Sequence, residues 1–256
     1  RRKPFDDVRV RQAVAMAIDR NKVSKVAYFG YYPPSEYAVI PFMSHYLNEK
    51  AKFPSFDKAK AEQLLDQAGY PKGADGWRFK TTIMNGPYPD DKILAEAVTQ
   101  MLREVGIDVQ WNLYDGATWA SKRNNKDFDL TCYWVNYAPD PATFDRFFHS
   151  KGANNYMWYV NPRVDELLEK ALLTPVWEER LKNYYEVQEI LVKDIPWVPV
   201  VNEMYFFFKR KGWHGLPSDM PPDGGMGRMM SWFGGQYCVW HDSGSDKPPA
   251  IHYPWR

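Results

Sequence analysis

The chain has 256 residues, 45% hydrophobic and 25% charged, a globular composition long enough for one large or two small domains. Thirty-three basic against thirty-two acidic residues, with no basic run of five or more, leave no field to draw nucleic acid or an anionic membrane. No stretch approaches the roughly 18 apolar residues of a spanning helix, and Cys132 and Cys238 have neither CxxC nor metal-ligand spacing.

Pro4-Phe-Asp-Asp7 leads into Val10, Ala13, Val14, Ala17 and Ile18, which predicts an acid-capped amphipathic helix ending near Asp19-Arg-Asn21. Residues 28–56 show no period and are rich in Gly, Pro and aromatics, so they read as an ordered surface loop. Asp57 caps the next helix, with Ala61, Leu64, Leu65 and Ala68 on one face and Gly69 as its left-handed stop.

Residues 78–84 alternate as a strand, broken by Asn85-Gly-Pro-Tyr-Pro89. Asp90 and Asp91 start a helix that turns Leu94, Val98, Met101, Leu102 and Val105 inward and stops at Gly106. Val109, Trp111 and Leu113 form the next strand, 115–124 a helix and 127–134 a third strand. Strand, helix, strand, helix, strand with short joints predicts an α/β fold with right-handed parallel crossovers. The loops after the first and third strands then open on one sheet edge, the place where α/β sheets hold ligands. Further on, Asn161-Pro162 starts one helix and 177–192 forms another, followed by an extended crossing at 197–201. Composition changes sharply after Phe208, which places a boundary near Asn202.

Chemistry-bearing motifs are mostly missing. There is no HExxH, GxSxG or GxxxxGK[ST], the five histidines stand apart, and the paired acids Asp90-Asp91 and Asp127/Asp129 sit where caps and turns are common. No catalytic residue, metal or cofactor is expected. Recognition is better served, since 16% of the chain is aromatic, with eleven Trp and seventeen Tyr. The third strand runs through Trp134, Asn136 and Tyr137 into Pro139-Asp-Pro141, where pairing must end. The candidate ligand-binding set is Asn85, Tyr88, Trp134, Asn136, Tyr137 and Trp232, with Trp240 as a further possibility. Asn136 matters most, because an amide among rings packs poorly but can fix a hydroxyl or peptide group.

Pro4-Phe-Asp-Asp-Val-Arg-Val-Arg-Gln-Ala-Val14 with Ala17-Ile-Asp-Arg20 resembles the signature of the C-terminal half of family 5 extracytoplasmic solute-binding proteins, the peptide- and nickel-binding class serving ABC importers. Four further stretches agree in order: Asp57-Lys-Ala-Lys-Ala61 through Ala68-Gly-Tyr-Pro71; Leu102 through Gly106-Ile-Asp-Val109; Asp127-Phe-Asp129 through Trp134 to Asp140-Pro141; and Asn161-Pro-Arg-Val-Asp165, then Arg180 to Pro199. The resemblance covers about residues 4–205. It implies a type II periplasmic-binding-protein lobe, with a parallel or mixed sheet flanked by helices, that closes with a second lobe over a small-molecule ligand and docks on a membrane ABC permease. Residues 1–202 would be the C-terminal ligand-binding lobe, and 203–256 a segment returning to the other lobe plus an irregular tail. The resemblance begins where a full member is half written, so a missing N-terminal half is expected to carry the export signal and the opposite cleft wall. Periplasmic or extracytoplasmic location follows from the same likeness.

Two departures bear on the ligand. Peptide-binding relatives place an aspartate three residues beyond the tryptophan matching Trp134, and here that position is Tyr137. Dipeptide binders carry a carboxylate-binding arginine in the loop matching 85–89, and Gly86 stands about where it would be. An unpaired zwitterion in a closed cleft costs several kcal/mol, which turns the expectation toward an oligosaccharide or sugar conjugate held between rings, ahead of an oligopeptide bound through its backbone. A hydrolase using this lobe as a substrate domain and a sensing receptor without transport are the other readings.

Overall fold

The computed structural model describes residues 2–39, 41–135, 140–204, 213–214 and 240–241. The chain divides into two compact units, Arg1–Met204 and Tyr205–Arg256.

The first unit is built on a parallel sheet of order β2-β1-β3, with β1 at Phe79–Asn85, β2 at Ile107–Leu113 and β3 at Leu130–Thr131. Register runs from Phe79 opposite Ile107 to Asn85 opposite Leu113. On the other side of β1, Ile83 and Met84 face Leu130 and Thr131. The third strand is thus shorter than its alternation predicts. At its start the Asp129 carboxylate takes the Thr82 N–H (3.0 Å) and hydroxyl (2.9 Å) in place of a backbone ladder, and after the Cys132 N–H reaches Met84 O (3.2 Å) the chain leaves the sheet.

Helix α1 (Val8–Ala17) is capped by Asp7, whose carboxylate accepts from the Arg9 N–H. Asp19, read above as a stop signal, instead caps a second helix, α2 (Arg20–Tyr28), ended by Phe29 in the left-handed conformation. Acids serve equally after one helix and before the next, so the junction is not decided by residue type. Helix α3 (Lys58–Gln67) packs on α1, and α4 (Pro89–Glu104) lies over the sheet. Ile83, Ile107 and Val109 meet Val98, Leu102 and Val105, with Val10 and Val14 behind them, as the first core. Helix α5 (Gly116–Asn124) makes the crossover from β2 to β3, its Trp119 buried and donating to the Thr131 hydroxyl at 3.3 Å.

A second core joins α6 (Thr143–Phe148), α7 (Pro162–Leu173) and α8 (Trp177–Asp194) through Phe144, Phe148, Leu167, Leu168, Tyr184 and Leu191. The expected surface loop belongs to it, since Met43, Tyr46 and Phe53 are buried there. Gln188 fixes that connection: its Nε2 donates to Tyr46 O at 2.7 Å and its Oε1 accepts the Asn48 N–H at 3.1 Å. Val198, on the extended crossing after α8, packs against both cores. In the second unit, β4 (Trp213–His214) and β5 (Trp240–His241) pair antiparallel. No helix among the described residues is long and apolar enough to cross a membrane.

Candidate functional site

Because β1 and β3 are parallel neighbours, their carboxyl ends lie on one edge. Tyr88 follows the end of β1 by three residues and Trp134 follows the end of β3 by three. Tyr88 is 44% exposed and Trp134 47%, far more than rings plugging a core would be. Tyr88 occupies the N-cap position of α4, with extended backbone and Pro89 at the first helical position, so its ring is carried at a rigid helix start.

Asn85 belongs to the same edge but faces inward and is fully buried. Its Oδ1 accepts the indole N–H of Trp111 at 2.6 Å and its Nδ2 donates to Gly86 O at 2.7 Å. Its backbone carbonyl takes the Tyr114 N–H at 3.1 Å. The side chain therefore fixes the exits of both β1 and β2, and its amide is engaged at both ends within the fold. Gly86 then lets two rings close on the loop: a Cβ there would lie 3.2 Å from Trp119 Cδ2 and 3.2 Å from Tyr88 Cδ2. The rings themselves sit 6.0 Å apart, edge to face. A long side chain at this position would displace one of them.

Aromatics continue along the edge. Trp119 meets Tyr133 at 6.0 Å and Tyr133 meets Tyr156 at 6.3 Å. Burial pushes the Tyr133 hydroxyl up to about 12, against the opposing pull of Arg123. The Arg123 guanidinium lies 4.5 Å from the ring centroids of both Trp119 and Tyr156 and 5.7 Å from that of Tyr133. Sequence reasoning passed over these four residues. The available signal was Trp119 and Arg123 at i and i+4 on one helix face, a spacing that puts a cation over a ring.

Residues 1–155 match the family described as bacterial extracellular solute-binding proteins, family 5 Middle. The chain belongs to this family. It is 29% identical over 210 residues to heme-binding protein A of Haemophilus influenzae, covering 79% of this chain and 38% of that protein. It is 30% identical over 213 residues to the glutathione-binding protein GsiB of Salmonella choleraesuis, covering 78% and 40%. Among solved structures, the dipeptide binding protein from Pseudoalteromonas sp. SM9913 in complex with Met-Leu superposes with a TM-score of 0.71 at 29% identity, over 78% of this chain and 40% of that one. The family 5 chain thus spans about two fifths of the length of these relatives, all of them binding proteins. Its fold is that of a type II periplasmic-binding-protein lobe.

In this family 5 lobe, Tyr88 and Trp134 share the strand-end edge, with Asn85 beneath it. Asn136, Tyr137 and Trp232 lie outside the described residues. An apolar cavity of about 270 Å³ opens between β3 and the crossing after α8, among Leu130, Cys132, Val135, Trp197 and Val198, and Tyr133 and Tyr156 of the aromatic row also line it. Neither Tyr88 nor Trp134 lines it. Its walls come mainly from side chains of the two cores, with Arg2, Arg11, Lys126 and Asp129 also reaching it, and because neither half-exposed ring belongs to it the candidate site is placed on the edge.

Proposed function

We propose that this chain forms one wall of the ligand cleft of an ABC importer's solute-binding protein, which captures a small oligomeric solute outside the cytoplasm and delivers it to a membrane permease. One observation carries the reading: two half-exposed rings, Tyr88 and Trp134, stand at the carboxyl ends of adjacent parallel strands, on a rigid edge where a solute can be gripped by flat apolar faces. Asn136, Tyr137 and Trp232 would complete the wall, and Asn85 would hold the loop that carries Tyr88. The second lobe would come from the rest of a longer protein, residues 1–202 forming this lobe and 203–256 returning to the other.

For the ligand, a short peptide is the reading best supported. Two of the relatives carry the names of peptides, a dipeptide and glutathione. An oligosaccharide held between rings is the second reading, favoured by the exposure of Tyr88 and Trp134. Neither needs a cofactor or a reactive side chain, and the protein acts as a receptor without turnover.

The test is calorimetric titration of the full-length protein with tripeptides and with linear hexasaccharides. Peptide binding that weakens about tenfold in both Tyr88→Ala and Trp134→Ala is the expected result. Saccharide binding with the same dependence selects the second reading. Binding untouched by either substitution removes the edge from the cleft.

A further inference from the structure

Asp91 is a carboxyl that the fold encloses without partnering. It stands in the first turn of α4, three residues beyond the exposed Tyr88 ring, and is itself buried. Its Oδ2 lacks a hydrogen-bond donor among the described residues.

The titratable groups that face it come from four places, and among the described residues none is a cation. On its own helix Asp90 brings a second carboxylate, which accepts the Tyr32 hydroxyl at 2.9 Å, while the Tyr28 hydroxyl at the end of α2 donates to Asp90 O at 2.9 Å. At the end of β3 lies the Cys132 thiol, whose proton is held first by burial and then by the charge of Asp91. The crossing after α8 brings Glu203. Burial opposes ionisation of Asp91 first, and the charges of Glu203 and Asp90 follow.

Glu203 gives this arrangement a mechanical consequence, because it directly follows the joint that fastens the end of the crossing. There Pro34 bridges Val201 antiparallel, the Ser35 N–H reaches Val200 O at 3.0 Å and the Asn202 N–H reaches Pro33 O at 2.8 Å. Only Met204 then remains before the first unit ends. The joint is thus the last fastening of the crossing before the chain leaves the lobe.

We propose that Asp91 and Glu203 make this joint a proton-operated latch: with Asp91 protonated the end of the crossing seats against the start of α4, and with both carboxyls ionised their repulsion loosens residues 200–204 from residues 33–35. Repulsion is strong here because water scarcely reaches Asp91 to screen it. A proton that binds one arrangement better than the other shifts the balance between them. Under the importer reading proposed above, the lobe grips its solute more firmly in mildly acidic surroundings and yields it as the pH rises past neutrality.

The experiment measures hydrogen exchange of the full-length protein at pH 6 and pH 8, corrected for intrinsic exchange rates, in segments 31–36 and 198–204, with 164–171 of α7 as the reference. It is repeated in Asp91→Asn, which cannot ionise, and in Glu203→Gln, which lets Asp91 ionise but takes away the repulsion. The expected result is a fall in protection at the joint about tenfold larger than in α7, abolished in both variants. Constant protection in the native protein overturns the latch, as does a fall shared equally by α7, which marks general destabilisation, or one that persists in either variant. Titration with trialanine at pH 5.5 and pH 7.5 carries the test to the solute: about threefold weaker binding at the higher pH is expected in the native protein and no such change in Asp91→Asn. Binding that is independent of pH overturns the effect on the solute. Failure of trialanine to bind at either pH overturns the peptide reading instead, and the exchange result still decides the latch.

Discussion

Arg180 grips Asp140 with two hydrogen bonds, Nη1 to Oδ2 at 2.8 Å and Nη2 to Oδ1 at 2.6 Å, and so ties helix α8 to the segment just before α6. The Ala142 N–H adds a bond to the same carboxylate at 2.8 Å. Tyr46 lies 5.9 Å and Tyr184 5.5 Å from the guanidinium, which is thereby held by rings as well as by charge. One end of the Trp134–Pro141 stretch is thus pinned to the second core, while its other end leaves β3 of the sheet. Among the described residues, Arg180 and Arg123 each lie beside several rings, and of these two Arg180 is the one paired with a carboxylate.

Arg180→Ala should lower stability by on the order of 1 kcal/mol, a small figure because the Asp140 side chain is 45% exposed and water screens the pair. Burial by itself would raise the Asp140 carboxyl, but hydrogen bonds from Arg180 and the Ala142 N–H hold it below its ordinary value. A depressed acid contributes stability above its unfolded value of about 3.9, and that contribution is lost as pH falls through the folded value. Melting temperatures of the native protein and the variant, compared from pH 6 downward, should therefore converge below about pH 4. A gap that stays constant to pH 2 would mean that packing, not charge, is what Arg180 supplies.

Asn85→Leu should cost about 1–3 kcal/mol, the usual penalty when a buried donor loses its acceptor, here the Trp111 indole N–H. Urea midpoints measure it. If the variant unfolds at the native midpoint, water or a shifted carbonyl has replaced the amide, and Asn85 is not what sets the exits of β1 and β2.

Gly86→Ala probes the same edge by volume. Its Cβ would press within 3.2 Å of both Trp119 and Tyr88, forcing one ring aside at a cost of about 1 kcal/mol. Tryptophan emission should change, because Trp119 would be more exposed than its native 5%. An unchanged spectrum with native stability would show that the rings do not close over the loop.

Much of the lobe was legible because it rests on short-range rules. Apolar residues at helical spacing, acids before α1 and α3, Asn161-Pro162 before α7 and the alternation of β1 and β2 each act within a few residues. What was hidden depends on distant partners. Residues 28–56 look like a surface loop until Gln188 and the second core, far along the chain, bury Met43, Tyr46 and Phe53. Asn85 was chosen as a polar group at a strand end, but only the register with β2 reveals Trp111 as the partner that turns it inward. Arg123 was invisible for the same reason, since Tyr133 and Tyr156 come to it from outside α5.

Asp91 gives the remaining prediction, and its sign is opposite to that of Asp140. It sits in the first turn of α4, 3% exposed, with Oδ2 lacking a hydrogen-bond partner among the described residues. Burial, then the nearby charges of Glu203 and Asp90, push its carboxyl up to about 7, although a helix start ordinarily favours an anion. Below about pH 4 both folded and unfolded states hold the proton and Asp91 is neutral toward stability. Between about 4 and 7 the folded state keeps a proton that the unfolded state releases, so stability falls as pH rises, and above about 7 the whole cost is present. Asp91→Asn removes the charge without changing the shape. The variant should match the native protein at pH 4 and melt above it at pH 8, with the gap opening across the interval between. A variant less stable than the native protein at pH 8 would mean that the ionised carboxylate is held by a favourable partner, and the strained acid assigned to the start of α4 would be wrong.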